Sequence, residues 1–165
     1  MIKKAMIVMY IHLKDELYYL LLKNRNHGTW GFLSGTGEKD ESYSTTASRE
    51  LKEETKRILT NKTFQTSFFH TPSNKYFPKK VRYKVYFIKL SGTKNDMKHL
   101  ENQFSKTTPL SYHEDENTRI KFVKETNLNR YYLWNYIKEE LIHNEVFKLK
   151  LKESIKNDLK LSISH

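Results

Sequence analysis

The apolar positions open in two strand-like runs. Residues Ala5 to His12 and Leu17 to Lys23 are rich in Val, Ile, Leu and Tyr and flank the polar turn Lys14-Asp15-Glu16, which predicts a β-hairpin. The first run is nearly unbroken, as expected of a central strand. From Ser42 the period lengthens. Ser42 is placed to cap a helix, and Ala47, Leu51 and Ile58 fall on one face at helical spacing, a face that should pack on a sheet. Two more strands are expected at Phe64 to His70 and Val81 to Leu90, the second with Arg82 and Lys84 alternating with Tyr83 and Val85. A loop containing Pro72 and Pro78 separates them.

Farther along, the pattern weakens. Ser91 to Glu116 is polar and poorly periodic, Ile120 to Val123 reads as a short strand, and Arg130 to His143 reads as helical. In the tail, Phe147, Leu151, Ile155 and Leu159 recur every four residues, with Lys148, Lys152, Lys156 and Lys160 one step along, which predicts a basic amphipathic helix. The length of 165 residues suits one domain, so residues 1–165 are read as a single unit with about 144–165 as a C-terminal extension.

Composition narrows the class. Thirty Lys and Arg against nineteen Asp and Glu give a formal charge of +11, a surface that attracts polyanions such as nucleotides or nucleic acid. A Lys- and Asn-rich composition produces the same charge without any binding site. The absence of cysteine excludes disulfides, thiol chemistry and cysteine-based zinc sites, and suits a reducing interior. The opening apolar stretch is short, lacks a small-residue cleavage site and runs straight into charge, so it is read as a strand rather than a signal peptide. With no run long enough to span a bilayer, the expectation is a soluble, cytoplasmic or otherwise intracellular protein with no membrane partner.

The chemistry is concentrated between Gly35 and Glu54. On a helix turning about 100° per residue, Glu50, Glu53 and Glu54 share one face while Leu51 points to the core. Acidic helix faces are usually only solvated surface. Here the helix follows Trp30-Gly31-Phe32-Leu33-Ser34-Gly35-Thr36-Gly37, part of a stretch from His27 to Asp40 that holds four of the five glycines. Glycine permits close approach of a ligand to backbone. Clustered carboxylates with exposed backbone carbonyls make a hard oxygen site suited to Mg²⁺ or Mn²⁺, and such an ion assists attack of water on a phosphoryl centre.

Gly35, five residues, Glu41, seven residues, Arg49-Glu50-Leu51, one residue, Glu53-Glu54 resembles the signature of the Nudix hydrolase family. The resemblance implies an α/β fold, the Nudix-type α/β/α sandwich with a mixed β-sheet, here followed by C-terminal helices. It also implies hydrolysis of the diphosphate linkage in a nucleoside diphosphate derivative. Glu53 and Glu54 would hold metal with the Gly35 carbonyl, Glu50 would bind metal or act as base, Arg49 would orient the carboxylates, and Glu41 would anchor the loop. A further acidic residue from a later loop completes many such sites. Glu116 is the choice here, with Glu114 its competitor.

Two departures stand out: Leu33-Ser34-Gly35 replaces the usual Pro-Gly-Gly, and Lys56-Arg57 replaces a glycine and an aliphatic residue after Glu54-Thr55. The second change would let the helix run on toward Ile58. Gly37-Glu38-Lys39-Asp40-Glu41-Ser42 and Trp30-Gly31-Phe32 resemble mRNA-decapping members, so capped RNA joins small nucleotides as a candidate substrate. Tyr76 and Phe77 are candidates to stack on a base. The competing expectation is a Nudix-fold module that binds nucleotide or RNA without turnover. Oligomeric state is not legible.

Overall fold

The computed structural model describes residues 1–60, 64 and 66–163. The predicted hairpin is present as β1 (Ile2–Leu13) and β2 (Glu16–Asn24), antiparallel, with Tyr10 opposite Tyr19. Its turn is tight: Lys14 and Asp15 both adopt positive φ, 46° and 66°, the handedness that matches the twist of the two strands. Within the Gly-rich stretch lie two short strands that composition had concealed, β3 (Trp30–Gly31) on β2 and β4 (Leu33–Thr36) on β1.

The mixed sheet runs β3-β2-β1-β6-β5, where β5 is Thr66–His70 and β6 is Val81–Ser91. The strand expected from Phe64 begins at Thr66, with Gln65 outside the described residues. Strand β1 is central, pairing parallel with β6 from Ile2–Val81 to Tyr10–Lys89. β7 (Asn117–Lys124) extends the strand expected at Ile120–Val123 and pairs antiparallel with β2, and β8 (Leu161–Ser162) pairs with the end of β6.

The continuous apolar run of β1 follows from burial on both faces. Met6, Val8 and Tyr10 enter one core cluster, and Ala5, Ile7, Met9 and Ile11 enter the other. The second face is covered by α1 (Tyr43–Glu54) and α2 (Lys94–Lys106), the first by α3 (Glu145–Lys156) and a single π turn at Ile137–Leu141. This is the α/β/α sandwich.

Three expectations need correction. Ser91 to Glu116 contains α2, started by a capping box between Thr93 and Asp96 and fixed by burial of Met97, Leu100 and Phe104. Its spacing is helical, and polar neighbours hid it. Arg130 to His143 is not one helix. Trp30 donates to the Tyr132 carbonyl and Trp134 to the Trp30 carbonyl, drawing Leu133 into a bridge with β3 and delaying helical structure until Asn135. α1 ends at Glu54 instead of reaching Ile58, because Lys56 and Arg57 turn into positive φ, 52° and 66°.

In the tail helix Phe147 and Leu151 pack on the core as patterned and Tyr10 donates to Ser154 Oγ at 2.7 Å, while Leu159 lies beyond the helix end and is exposed. No helix among the described residues is long and apolar enough to cross a membrane.

Candidate active site

The site is assembled where α1, β4 and the loop before β7 meet. Ser42 caps α1, accepting from Thr45 N, and burial of Ala47 and Leu51 fixes the rotation of the helix. With Leu51 inward, Glu50 and Glu54, one turn apart, are carried to the edge of the core and are each only 7% exposed. Glu116 joins them from the end of the short helical turn Tyr112–Asp115. The three carboxylates lie with oxygens within 4.8 Å of one another.

Each flank of the Glu116 loop is tied down. Arg25 N donates to the Glu116 carbonyl at 2.8 Å and the Arg25 guanidinium pairs with Asp115 at 2.8 Å. Arg57, at the exit of α1, pairs with Glu114, which also accepts from Leu110 N. Glu114 is therefore committed to holding the loop, and Glu116 reaches the cluster. Glu53 is not among the three: its carboxylate sits 3.3 Å from Arg49 Nη1, on the more exposed side of the helix.

Arg49 and Glu41 form the support. The Arg49 guanidinium donates twice to Glu41, at 3.0 Å each, and also to Glu50 Oε1 and the Thr36 carbonyl at 3.0 Å. Glu41 additionally accepts from Thr46 Oγ1 at 2.6 Å and from Glu38 N at 3.0 Å, closing the loop onto the helix. The Arg49 guanidinium and these further donors hold the Glu41 carboxyl down at about 2. Burial, with Glu53 and Glu116 nearby, pushes Glu50 up to about 7 despite Arg49. Burial, with Glu50 and Glu116 nearby, raises Glu54 well above the usual range, opposed by the Ser34 N–H from which it accepts at 3.0 Å. Two buried carboxyls held toward neutrality beside a third are a site short of positive charge.

Gly35 is required for this arrangement by contact. A Cβ there would lie 1.9 Å from the Glu50 carboxyl carbon. The donor set is all oxygen, and the crowding of its carboxylates would be relieved by a divalent cation. Both features fit a Mg²⁺ or Mn²⁺ site.

A cavity of about 640 Å³ opens from Glu54 and Glu116. Tyr76 and Phe77 both line it, as does Trp134, whose ring meets Phe77 edge-on at 5.9 Å. The loop bearing Tyr76 is pinned by Ser73 N to Glu140 and by Lys75 and Tyr76 to Glu139. Lys4 and Asn117 complete the floor near the acids. Lys4 Nζ donates to Thr36 Oγ1 at 2.9 Å, and burial lowers its pKa against the pull of Glu50, Glu54 and Glu116. Asn117 Nδ2 is buried without a hydrogen-bond acceptor of normal geometry. A lysine near the start of a central strand was the one signal in the sequence for Lys4. Nothing local marked Asn117 or Trp134, which the β7 register and the bridge at Trp30 bring in.

The model of the NUDIX domain matches residues 3–139. Among solved structures, the NUDIX domain of Shewanella oneidensis NrtR complexed with ADP ribose is 14% identical and superposes with a TM-score of 0.62, covering 93% of this chain and 87% of that one. A Caenorhabditis elegans Ap4A hydrolase in a binary complex is 20% identical, with a TM-score of 0.60 and coverage of 94% and 96%. A NUDIX hydrolase, described as putative, from Listeria monocytogenes is also 20% identical, with a TM-score of 0.58 and coverage of 95% and 97%. No curated protein matches. At these identities the solved structures speak for the fold.

Proposed function

The chain belongs to the NUDIX domain family, and on that premise we propose that it is a metal-dependent hydrolase of the diphosphate linkage in a nucleotide derivative. The observation that carries this reading is the convergence of Glu50, Glu54 and Glu116 within 4.8 Å at the mouth of an aromatic-walled cavity. The relatives whose structures are named for ADP-ribose and Ap4A support a substrate with a nucleoside diphosphate at its centre. Capped RNA shares that linkage and stays within the proposed substrate class.

Glu50, Glu54 and Glu116 would hold a Mg²⁺ or Mn²⁺ ion, with the Gly35 carbonyl assisting, and Glu53 stands at the margin of the site. When bound, such an ion supplies a bridge to phosphate oxygens and neutralises charge that develops on them. The protein's own groups do the rest. Arg49 keeps Glu50 Oε1 in place by a hydrogen bond of 3.0 Å. As the alternative to holding the ion, Glu50 in its ionised form would take a proton from attacking water, since burial raises the proton affinity of that carboxylate. Lys4 presents an ammonium to the phosphates across the cavity floor. Tyr76 and Phe77 offer ring faces to the base. In this reading residues 1–165 act as one domain, with α3 bracing the sheet from the face opposite α1 and α2.

The test is nucleotide and phosphate release with Mg²⁺ or Mn²⁺ from capped RNA, nucleoside triphosphates, ADP-ribose and dinucleoside polyphosphates, comparing wild type with Glu54→Gln and Glu53→Gln. Turnover of one substrate, abolished in Glu54→Gln and weakened less in Glu53→Gln, confirms the proposal. Turnover indifferent to Glu54, or none with any substrate, replaces it with a fold that binds nucleotides without cleaving them.

A further inference from the structure

Beyond the start of α1, the sheet face that this helix packs on carries an arrangement that hydrolysis of a small nucleotide does not use. Along edge strand β5, Phe68 enters the core while its neighbour Phe69 points outward and is 44% exposed. The Arg82 guanidinium carbon lies 4.1 Å from the Phe69 ring centroid and Lys84 Nζ lies 5.2 Å from it. The edge of the same ring system meets Tyr43, at the first turn of α1, with centroids 5.3 Å apart and planes at 76°. Lys3 Nζ then sits 4.7 Å over Tyr43.

Register explains the cluster: Lys3 pairs with Arg82 and Phe69 pairs with Lys84, so all point to one side. Among the described residues, none of these three cations forms an ion pair with a carboxylate, whereas Arg25, Arg49, Arg57 and Lys75 all do. Lys3 donates to the carbonyl of Glu41, which leaves its charge uncancelled.

We propose that this surface binds single-stranded nucleic acid, with bases stacking against the Phe69–Arg82 pair and phosphates meeting Lys3 and Lys84. Uncancelled cations held in place around one exposed ring match the two things a single strand offers, a charged backbone and free base faces. A duplex keeps its bases stacked on one another and offers only the first. The net charge of +11 draws such a polyanion from a distance. Location strengthens the assignment: Lys4, the next residue of β1, lies on the opposite face and lines the acidic cavity. A strand on this surface would lie beside Tyr43 at the start of α1 and beside the loop from Gly35 to Glu41, which Lys3 ties down. Binding is read without turnover, so the inference stands or falls independently of the hydrolase proposal.

The experiment is fluorescence anisotropy of a labelled oligouridylate, an oligothymidylate of the same length and the matched duplex, titrated with the full chain across a range of salt. The tighter of the two single strands identifies RNA or DNA as the source. Arg82→Glu and Phe69→Ala should each weaken single-strand binding by about tenfold. Lys3→Glu/Lys84→Glu should reduce the slope of log Kd against log salt by about 1.4, near 0.7 for each phosphate no longer neutralised. Lys148→Glu/Lys152→Glu on α3 makes the same charge change elsewhere and should shift affinity less than about twofold. Arg82→Met, which keeps the surface apolar, guards against a variant that fails to fold, and all variants are checked by thermal melting. Equal weakening in the α3 control, equal affinity for the duplex, or wild-type binding by folded Phe69→Ala and Arg82→Met would overturn the proposal.

Discussion

Gly35 on β4 faces Glu50 on α1 so closely that a methyl group at residue 35 would overlap the Glu50 carboxyl, with 1.9 Å between Cβ and the carboxyl carbon. Gly35→Ala must therefore displace a side chain that Arg49 holds on its other side. A shift of about 1 Å in a reacting group costs roughly 100-fold in rate. We expect kcat to fall by about that factor, with weaker Mg²⁺ binding in calorimetry. Wild-type kcat in Gly35→Ala would show that Glu50 has room to move.

Glu50 and Glu54 make the metal-free protein less stable as pH rises. Their folded pKa values lie above the unfolded carboxylate value, to about 7 for Glu50. The native state thus binds more protons than the unfolded chain between about pH 4.5 and 7, and stability falls as pH climbs through that window. For Glu50 alone the loss is on the order of 2–3 kcal/mol. Melting in EDTA should give a Tm that declines from pH 5 to pH 8. Glu50→Gln should flatten the decline, and Mg²⁺ should reduce it.

Glu41 acts with the opposite sign. Its carboxyl is held down to about 2, chiefly by Arg49, so the stability it contributes is complete above about pH 4.5 and is lost as pH falls toward 2. Glu41→Gln gives up the paired hydrogen bonds to Arg49, worth about 1.5–3 kcal/mol at neutral pH. Urea unfolding at pH 7 should show that loss, and the difference from wild type should shrink toward pH 2.5. A difference that stays constant with pH would remove the charge from the explanation.

Lys56 holds positive φ, 52°, at the exit of α1, where a side chain costs about 1 kcal/mol relative to glycine. Two interactions offset the strain: Nζ donates to the Phe104 carbonyl at 3.0 Å and lies 4.0 Å over the Phe104 ring. Lys56→Ala keeps the strain and gives up both interactions, so it should be less stable than Lys56→Gly by about 1 kcal/mol in chemical denaturation. Equal stabilities would mean that the turn relaxes once the lysine is gone.

Phe77→Ala opens the wall of the cavity that Glu54 and Glu116 also line. If the ring carries the base, KM for the preferred nucleotide should rise about tenfold while kcat changes less. A fall in kcat alone would assign the ring to packing against Trp134 and Tyr136.

Much of the architecture was legible because it depends on local period and burial. The unbroken apolar run of β1 marks a strand buried on both faces, and Ser42 with Ala47 and Leu51 sets the start and rotation of α1. That rotation carries Glu50 and Glu54 together, so the acidic face could be read from spacing alone. The pairing of Arg49 with Glu41 also lies within one loop and helix. By itself the sequence determined these elements, because neighbours along the chain decide helical phase, strand alternation and capping.

Other features depended on contacts between distant segments. Glu116 and Glu114 are two residues apart in a polar loop, and only the pairing of Arg57 with Glu114 and of Arg25 with Asp115 selects which one meets Glu50. Glu53 shares the helix face on paper, yet Arg49 draws its carboxylate to the margin, since its side chain is long enough to choose between partners. Trp134 reaches the cavity through its backbone bond to Trp30, and the cations around Phe69 converge only through strand register. These choices belong to the tertiary structure because each turns on which of several side chains, equivalent in local sequence, finds a partner across the fold.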